Sequence, residues 1–299
     1  MSATPAIRVL EPAAGVLAFY AGRDGSRFAA EPNWVDEGAI ALGIASYALL
    51  AGDEALVYDT GVSVEWGRTV RAELERRGAR RLTVVLSHWH LDHVAGTAAF
   101  ADCEVVANER TAAHLARHRE AIEAGELEGP PAIAPLVLPT PTFAEREALR
   151  LGSGPGSLAV ELLTFDIHSD DATVLWLPGQ RLLLCGDTME DPVTYVDEPG
   201  HFDAHLRDLE RLRELAPRAI LPNHGDPEAI AGGGYPPTLI DATESYIRFL
   251  LGAGADPYAE DRPLRDLLPD LPAADALRYF EPYEAVHRHN LEAVAARPR

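Results

Sequence analysis

The sequence predicts an α/β fold, in which strands and helices are mixed over roughly the first 230 of 299 residues and helices complete the chain. Short apolar segments bounded by Gly and Asp indicate the strands, and apolar residues at helical spacing indicate the helices. A third observation is a group of metal-ligand side chains just after one predicted strand, where α/β sheets gather their sites.

Composition and charge limit the classes of function. The hydrophobic content of 47% and the charged content of 24% are typical of a globular domain with a substantial core. The net charge of −21 argues against a nucleic-acid backbone or an anionic membrane surface as the main partner. The first residues lack the pattern of a secretory signal, no apolar run is long enough to span a membrane, and only two cysteines occur. We therefore expect a reduced, cytoplasmic protein.

Strands dominate the first part of the chain. Three apolar segments punctuated by Gly and Asp predict strands: GVLAFYAG, AIALGIASYALLAG and EALVYDTG. The segment VEWGRTVRAELERRG has apolar residues near helical spacing, and Gly78 is typical of a residue that ends a helix. RRLTVVLS then predicts a buried strand, and HVAGTAAF predicts the start of a second helix.

The middle of the chain continues the mixture. CEVVAN predicts a strand and ERTAAHLARHREAIEAG a polar helix, and the proline-rich residues Glu126 to Pro141 predict an ordered loop. SLAVELLTF predicts a strand, and ATVLWLPGQRLLLCGD predicts a hairpin that turns at Pro178-Gly179. Asp203 is the expected N-cap of the helix AHLRDLERLREL, and RAILPNHG predicts a short strand that runs into a loop.

The last part of the chain is predicted to be helical. Beyond Tyr235, helices are expected in TLIDATESYIRFLLGAG, DALRYF and YEAVHRHNLEAVAA, with proline-containing connections between them. We therefore predict one domain over residues 1–235 and a helical extension over residues 236–299 that packs on it. The extension could cover a site on the first domain or form the face of a homodimer.

The segment LSHWHLDHVAG places four candidate metal ligands within six residues. In an extended chain, residues i and i+2 point the same way, so His88 and His90 can aim at one point. Asp92 and His93 follow where the chain turns into the next helix, so they can aim at a second point nearby. Imidazole and carboxylate groups are ligands that Zn²⁺ and similar ions accept, and the segment therefore predicts a metal site.

Further candidate ligands follow at three later strand ends. His168 comes after LLTFD, Asp187 ends RLLLCGD, and His224 follows AILPN. Each lies at a junction between a strand and a loop, so all three can meet the first cluster at one edge of the fold.

These motifs together resemble those of the metallo-β-lactamase-fold metallohydrolases, a superfamily that includes glyoxalase II and lactonase-like hydrolases. SHWHLDH fits the H-x-H-x-D-H signature, and His168, Asp187 in CGDT and His224 in PNHGD match the later motifs in order. Asp59 in VYDTG resembles the early strand-end motif. The resemblance implies a four-layer αββα sandwich, with two mixed sheets face to face, helices outside, and a helical C-terminal segment. It makes residues 1–235 the metal-binding catalytic domain.

The resemblance also implies a two-metal site with two Zn²⁺ per chain, for which iron or manganese are alternatives. One ion would be bound by His88, His90 and His168, the other by Asp92, His93 and His224, with Asp187 bridging the two. Asp59 would hold the metal loops in place. A hydroxide between the ions would be the nucleophile. Asp187 and Asp92 are the predicted catalytic residues, and Asp92 could pass a proton to the leaving group.

Four residues are predicted to line a substrate pocket: Trp89, Tyr195, His201 and Tyr235. Trp89 lies between two ligands, and the other three follow Asp187 or His224 along the chain.

The remaining polar candidates receive simpler interpretations. The pair His114 and His118 is expected on a solvated helix face, and His287 and His289 on a surface or interface. Cys185 is expected to be a buried strand residue.

The leading prediction is a hydrolase that cleaves an ester, lactone, thioester or lactam of a small molecule. The acidic C-terminal segment shows no basic pocket for an anionic carrier, which favours a neutral ester or lactone. The main alternative is a mononuclear iron enzyme of the dioxygenase type that acts on thiol-derived substrates, because some members of the superfamily use the same first motif for that chemistry. Phosphodiester cleavage in nucleic acid is disfavoured by the acidic charge. A binding protein without catalysis is disfavoured by the intact ligand set.

Overall fold

Two β-sheets organise the computed structural model, which describes residues 6–196, 198–253, 262–272, 275 and 277–296. The first sheet has seven strands in the order of the chain, antiparallel from β1 to β4 and parallel from β4 to β7. Its strands are β1 Arg8–Ala13, β2 Val16–Ala21, β3 Ile44–Ala51, β4 Glu54–Tyr58, β5 Arg81–Val85, β6 Glu104–Asn108 and β7 Thr142–Phe143.

The second sheet has five strands in the order β12-β11-β10-β9-β8. Neighbouring strands run antiparallel except β11 and β12, which are parallel. Its strands are β8 Arg146–Leu151, β9 Leu158–Ile167, β10 Ser169–Leu177, β11 Leu182–Gly186 and β12 Ala219–Pro222.

Helices cover the outer faces of both sheets. Those of the first half are α1 Val64–Arg76, α2 Leu91–Val94 and α3 Glu109–Ala124. Those of the second half are α4 Phe202–Glu214, α5 Pro227–Ala231, α6 Leu239–Ala253, α7 Leu264–Leu267 and α8 Tyr283–Ala295. No helix in the described ranges combines the length and apolar character needed to cross a membrane.

The alternation of side chains along the strands divides the core into two clusters. On β2, Leu17 and Phe19 pack with α1 and α3, whereas Ala18 and Tyr20 belong to the cluster that contains the second sheet. Successive strand residues point to opposite faces, so each buried strand serves both clusters. The layers are helices, first sheet, second sheet and helices, which confirms the predicted four-layer αββα sandwich.

The C-terminal helices share the core of the second sheet. Helix α4 packs on β9, α6 packs on α4, and α8 packs on α6. Buried residues of these helices, such as Tyr246 and Leu291, belong to the same cluster as Leu183 of β11. The division into a catalytic domain up to Tyr235 and a helical extension after it stays a prediction.

Helix ends follow local chemistry. The Ser63 side chain accepts a hydrogen bond from the Trp66 backbone N–H at the start of α1, and Asn108 caps α3 in the same way. Gly78 has φ +102° directly after the C-cap of α1, as predicted for a helix-ending glycine. Asp203 is not the cap of α4, because the helix begins at Phe202 after His201. Asp203 instead lies in the first turn, where its charge favours the helix dipole.

Several predicted segments differ from the structure. Strands β1 and β8 were not expected, because both are edge strands with partly exposed side chains and a weak apolar pattern. The segment from Ala39 begins in a π-helical turn, Val35–Ile40, and the strand starts only at Ile44. In DALRYF, residues 277–280 are irregular rather than helical, and Ala276 lies outside the described residues.

Candidate metal centre

The seven predicted ligands all lie where strands give way to loops. His88 and His90 follow β5, and Asp92 and His93 lie on the short helix α2. The other three follow strands β9, β11 and β12: His168, Asp187 and His224. These strand ends meet at one edge of the sandwich, and the seven side chains converge there.

Three overlapping groups of ligand atoms form the centre. In each group the atoms lie within 4.8 Å of one another. His90 Nδ1 is 3.0 Å from His168 Nε2, His93 Nε2 is 3.0 Å from Asp187 Oδ2, and His224 Nε2 is 3.1 Å from Asp92 Oδ2. The groups are His88, His90 and His168; His88, His93 and Asp187; and Asp92, His93 and His224. The outer two groups contain the residues assigned to the two predicted metal positions, which stay a prediction, and Asp187 lies with the group between them.

Two buried polar atoms at this centre fit a metal. No hydrogen-bond partner among the described residues reaches His88 Nε2 or Asp187 Oδ1, although both residues are almost fully buried. A buried polar atom without a partner is costly unless something else satisfies it. Both belong to ligand types that divalent ions accept, so the residues present fit a bound cation.

Three of the ligand imidazoles have a protein partner at Nδ1 that fixes the orientation of the ring. His88 Nδ1 lies 2.9 Å from Ser87 Oγ, and His224 Nδ1 lies 2.9 Å from the Gly43 carbonyl. His168 Nδ1 lies 2.9 Å from the Tyr195 carbonyl. When His224 and His168 donate their Nδ1–H to these carbonyls, Nε2 of each ring keeps its lone pair, which points into the centre.

Asp59 binds three elements of the centre at once. Its Oδ1 accepts the Ser87 backbone N–H at 2.7 Å, and its Oδ2 lies 3.0 Å from His93 Nδ1. The Asn223 side-chain N–H donates to the same Oδ2 at 2.6 Å. The residue is 1% exposed and has φ +65°. It connects the loops after β4, β5 and β12 without belonging to a ligand group, which matches its predicted role.

Burial and neighbouring charges shift the pKa values of the residues in the centre in opposite directions. Burial lowers the pKa of His88 well below its usual value, because the charged imidazolium is desolvated. Burial also opposes the charged forms of His93 and His224, but the Asp187 and Asp92 carboxylates together outweigh it and raise the pKa of both. Burial alone would raise the pKa of Asp187, and His93 and His224 lower it instead. A divalent cation can replace the protons that balance these charges.

A cavity of about 690 Å³ opens above the centre. Its floor contains ligand residues, among them His90, His168 and Asp187. One wall comes from the π-helical turn and its neighbours, and another from the loop after α3 and from helix α8. This volume suits a small organic molecule.

Two of the four predicted pocket residues line this cavity. Trp89 and Tyr195 do, whereas His201 and Tyr235 are not among the described residues around it. His201 Nδ1 lies 3.1 Å from Asp166 Oδ2, on the surface near Glu198. His201 thus has a carboxylate partner outside the cavity lining, and its contact with substrate stays a prediction.

Tyr235 is a buried structural residue. Its hydroxyl donates to Asp191 Oδ2 at 2.7 Å and accepts the Asp226 backbone N–H at 2.7 Å. Both hydrogen bonds tie its hydroxyl to the loops after β11 and β12, and its contact with substrate stays a prediction.

The other histidines lie in different environments. His289 is exposed, as predicted, and it also lines the cavity, where its Nε2 lies 2.8 Å from the Tyr195 hydroxyl and the two ring centres are 4.7 Å apart in a stacked arrangement. His287 is buried against Tyr246 rather than on a surface. His114 and His118 stack on Trp89 at 5.3 and 4.9 Å, so their helix face is covered there. Cys185 is buried, as predicted.

Sequence reasoning missed several residues that support the centre or form the cavity. Asn223 and Ser87 stand directly beside ligands, so adjacency was an available signal. Glu190 lines the cavity and is 1% exposed. Burial, reinforced by the Asp187 carboxylate, raises the pKa of Glu190 to about 7. Trp34 and Glu37 lie far from the motifs along the chain, and no local pattern marks them.

Comparison with known proteins identifies the family of these motifs. The family model described as "Metallo-beta-lactamase superfamily" matches residues 40–224, which include all seven candidate ligands and Asp59. The match spans more than half of the chain.

Individual relatives are distant. The linear primary-alkylsulfatase of Pseudomonas sp. (strain ATCC 19151) is 24% identical over 220 residues, which are 59% of this chain and 40% of that protein. A metallo-beta-lactamase from Pontibacter korlensis superposes with a TM-score of 0.60 at 18% identity, over 81% of this chain and 99% of that one. A crystal structure of the DIM-1 metallo-beta-lactamase exposed to ceftazidime superposes with a TM-score of 0.58 at 18% identity, over 82% of this chain and 98% of that one. The solved structures show the fold.

Proposed function

The chain belongs to the metallo-beta-lactamase superfamily, and we propose that it is a hydrolase that holds two divalent ions with the seven converging residues. The observation that carries the proposal is the overlap of the three ligand groups. The middle group, which contains Asp187, shares His88 with one outer group and His93 with the other. Overlapping groups of this kind suit two neighbouring cations better than one, because the outer groups share no ligand residue.

The proposed ions are Zn²⁺, and the chemistry follows from the ligand set. Two bound divalent ions supply a Lewis acid for the scissile carbonyl and lower the pKa of water toward ~7. The chain contributes the geometry. Ser87, Gly43 and the Tyr195 carbonyl orient three imidazoles, and Asp59 orients the fourth at His93.

Asp92 is the proposed proton carrier. Its carboxylate lines the cavity and lies 3.1 Å from His224 Nε2, so it can reach a substrate leaving group from the floor of the site. Burial raises the pKa of Asp92, whereas His93 and His224 lower it. The net effect is a lowered pKa. The lowered pKa favours the ionised form, so the proton-carrier role rests on the position of the carboxylate at the cavity floor, from which it could take up a proton and pass it to the leaving group.

The proposed substrate is an ester, lactone, thioester or lactam of a small molecule. The cavity volume of about 690 Å³ lies in the range of small-molecule sites. The apolar residues Leu42, Leu127 and Val286 line it together with the polar floor. Both cysteines are free thiols, which supports the proposed cytoplasmic location. The exclusion of nucleic acid and of membranes and the homodimer remain predictions.

Sulfate ester hydrolysis is a second candidate, favoured by the alkylsulfatase relative. This chain spans 40% of the length of that protein, so sulfate ester hydrolysis is a proposal for this chain. The two candidates use the same ligands and differ in the group that is attacked.

The first test is the metal content of protein purified without an affinity-tag histidine tract. We expect about two zinc ions per chain in the parent and fewer in Asp187→Ala, since Asp187 belongs to the group shared between the two positions. His201→Ala is the matched control, because it removes a ligand from the separate surface group Asp166, Glu198 and His201. This control should keep both ions.

The second test is a substrate panel of esters, lactones, thioesters, lactams and a primary alkyl sulfate. Hydrolysis of a carboxylic derivative by the zinc-loaded parent supports the proposal, and hydrolysis of the alkyl sulfate alone supports the second candidate. About one iron per chain would overturn the zinc hydrolase and favour the mononuclear iron alternative. No retained metal after reconstitution would overturn both.

A further inference from the structure

A further group of metal-ligand side chains lies outside the metal centre. Asp166, Glu198 and His201 each offer one atom, and these atoms lie within 4.8 Å of one another. The other groups of this kind in the described part of the chain all belong to the metal centre. None of the three is among the described residues that line the cavity, so substrate binding does not explain why they meet.

Two elements of the fold bring these side chains together. Asp166 is the last residue but one of β9, and Glu198 directly precedes the short helical turn Pro199–His201 that leads into α4. His205 lies four residues after His201, on α4. Residues four apart on a helix lie on one face, and both histidines face Asp166 across the gap between helix and strand.

His205 gives an independent sign of a bound ligand. Its side chain is 1% exposed, yet no hydrogen-bond partner among the described residues reaches either ring nitrogen. Its Nε2 points at Asp166 Oδ1 from 3.6 Å, which is too long for a hydrogen bond. Buried polar atoms without partners are costly, so a ligand that satisfies Nε2 is expected on the Asp166 side of the ring.

The distances between the ligand atoms fit a single cation. Two atoms that each lie about 2.1 Å from a tetrahedral ion are about 3.4 Å apart. His201 Nδ1 lies 3.1 Å from Asp166 Oδ2 and 3.5 Å from Glu198 Oε2, and the gap of 3.6 Å between His205 and Asp166 is similar. Imidazoles combined with carboxylates suit Zn²⁺, whereas Mg²⁺ and Ca²⁺ prefer oxygen ligands alone.

We propose that Asp166, His201 and His205, together with Glu198, bind a further divalent ion of the zinc type, separate from the metal centre. The ion would tie the end of β9 to the start of α4. The His201 side chain is 45% exposed, so this ion would exchange with solvent more easily than ions in the buried centre. Dialysis should therefore remove the further ion first, and added zinc should restore it.

The test is a calorimetric titration of Zn²⁺ into the dialysed full chain. We expect one further ion per chain and a rise in Tm when it binds, because an ion that binds only the folded state stabilises it. His201→Ala and His205→Leu should each weaken this step at least about 10-fold, the smallest loss typical even of residues that merely support a ligand. His114→Ala is the matched control and should keep the ion. His114 also pairs with a carboxylate, Asp170 at 2.8 Å, but belongs to none of the groups.

His205→Leu also distinguishes a metal ligand from a structural ion pair. Leucine fills the buried position without a polar atom, so the dialysed variant should have the Tm of the dialysed parent or a higher one. Only the rise in Tm on addition of zinc should disappear. A dialysed variant with a lower Tm and an unchanged response to zinc would show that His205 serves Asp166 as an ion-pair partner, and would overturn the proposal.

The outcomes separate this inference from the proposed function. Asp187→Ala should lose zinc from the centre and keep the further ion, because Asp187 belongs to a different group. No further uptake by the parent, or uptake that survives both histidine variants, would overturn the further site and leave the metal centre unaffected. So would uptake that Asp187→Ala alone abolishes. A dialysed parent without zinc in its centre would overturn the proposed function, whereas uptake that depends on His201 and His205 would still support this site.

Discussion

Replacing Asp59 with asparagine should weaken metal binding by about 10- to 100-fold while the chain stays folded. Asp59 is absent from the three ligand groups, so the effect must act through the residues it holds. Its two oxygens accept from Ser87 and Asn223 and face His93 Nδ1. Asparagine keeps the shape and one acceptor oxygen, but it removes the charge that stabilises the His93 imidazole in its ligand orientation.

The magnitude follows from those bonds. A 10- to 100-fold loss corresponds to about 1.4–2.8 kcal/mol of metal binding. The fold itself should lose about 1–3 kcal/mol, because an ionised acceptor buried with three partners becomes a neutral one. A domain of this size is ordinarily stable by about 5–15 kcal/mol, so the variant should remain folded at room temperature.

The assay is competition for zinc with a chromophoric chelator, alongside urea unfolding of the metal-free protein. The matched control is Asp36→Asn, which also changes a buried carboxylate with several hydrogen bonds. Asp36 accepts the backbone N–H of Ala29 and the side-chain N–H of Asn33, and it lies outside the ligand groups. The control should lose folding stability and keep zinc affinity. Parental zinc affinity in Asp59→Asn, or an equal loss in Asp36→Asn, would refute the reasoning.

Three further predictions concern stability. Removal of the metal by a chelator should lower Tm and readdition should restore it, because an ion at 1,000 times its Kd stabilises the folded state by about 4 kcal/mol; an unchanged Tm would contradict a structural contribution from the ions. Asn290→Ala should lower the free energy of unfolding in urea by about 2–4 kcal/mol. Asn290 accepts from the Val196 N–H and donates to the Thr194 carbonyl, and the variant would leave both backbone groups buried without this hydrogen-bond partner. Glu190→Gln should stabilise the metal-free protein at pH 8 by up to about 3 kcal/mol, measured by unfolding at several pH values. In the folded parent the pKa of Glu190 is about 7, above the ordinary 4.5, so the folded state holds a proton that the unfolded state releases. The parent therefore loses stability as pH rises from 4.5 through 7. The stability gain of Glu190→Gln should vanish below pH 4.5, and a gain that persists there would contradict the titration argument.

The ligands could be predicted from the sequence because each one stands beside a strand end that is marked by an apolar run. The strands before Asp187 and His224 bury nearly every residue, and the strand before His88 buries its last two, Val84 and Val85, so apolar composition identifies all three as strands. Strand ends at one edge bring distant ligands together without any further information about packing. The fold class followed from the same pattern, whereas the edge strands β1 and β8 were missed because they are half exposed.

The cavity could not be predicted in the same way, because its walls come from segments with no shared periodicity. Glu37 lies on an irregular π-helical turn, Glu128 in a loop, and His289 on the C-terminal helix α8. Asn290, next to His289 on the same helix, bonds to the backbone at residues 194 and 196 on either side of Tyr195. Such contacts depend on tertiary packing, which no local sequence pattern reveals.

Backbone conformation shows what the side chains at two of these strand ends cost. Asp59 and His168 have φ of +65° and +73°, a region that ordinary side chains avoid and that costs about 1–3 kcal/mol per residue. Positive φ alone does not mark the centre, because Arg23, Arg181 and Ala216 share it outside the ligand groups. A glycine at Asp59 or His168 would relieve the cost, but it would remove the acceptor of Ser87 and Asn223 or a member of a ligand group. At Gly186, with φ +57°, an added Cβ would lie 3.0 Å from the Tyr58 hydroxyl, so glycine is favoured directly before Asp187. The chain thus accepts strain at two positions where the centre uses a side chain and has glycine where a side chain would be crowded.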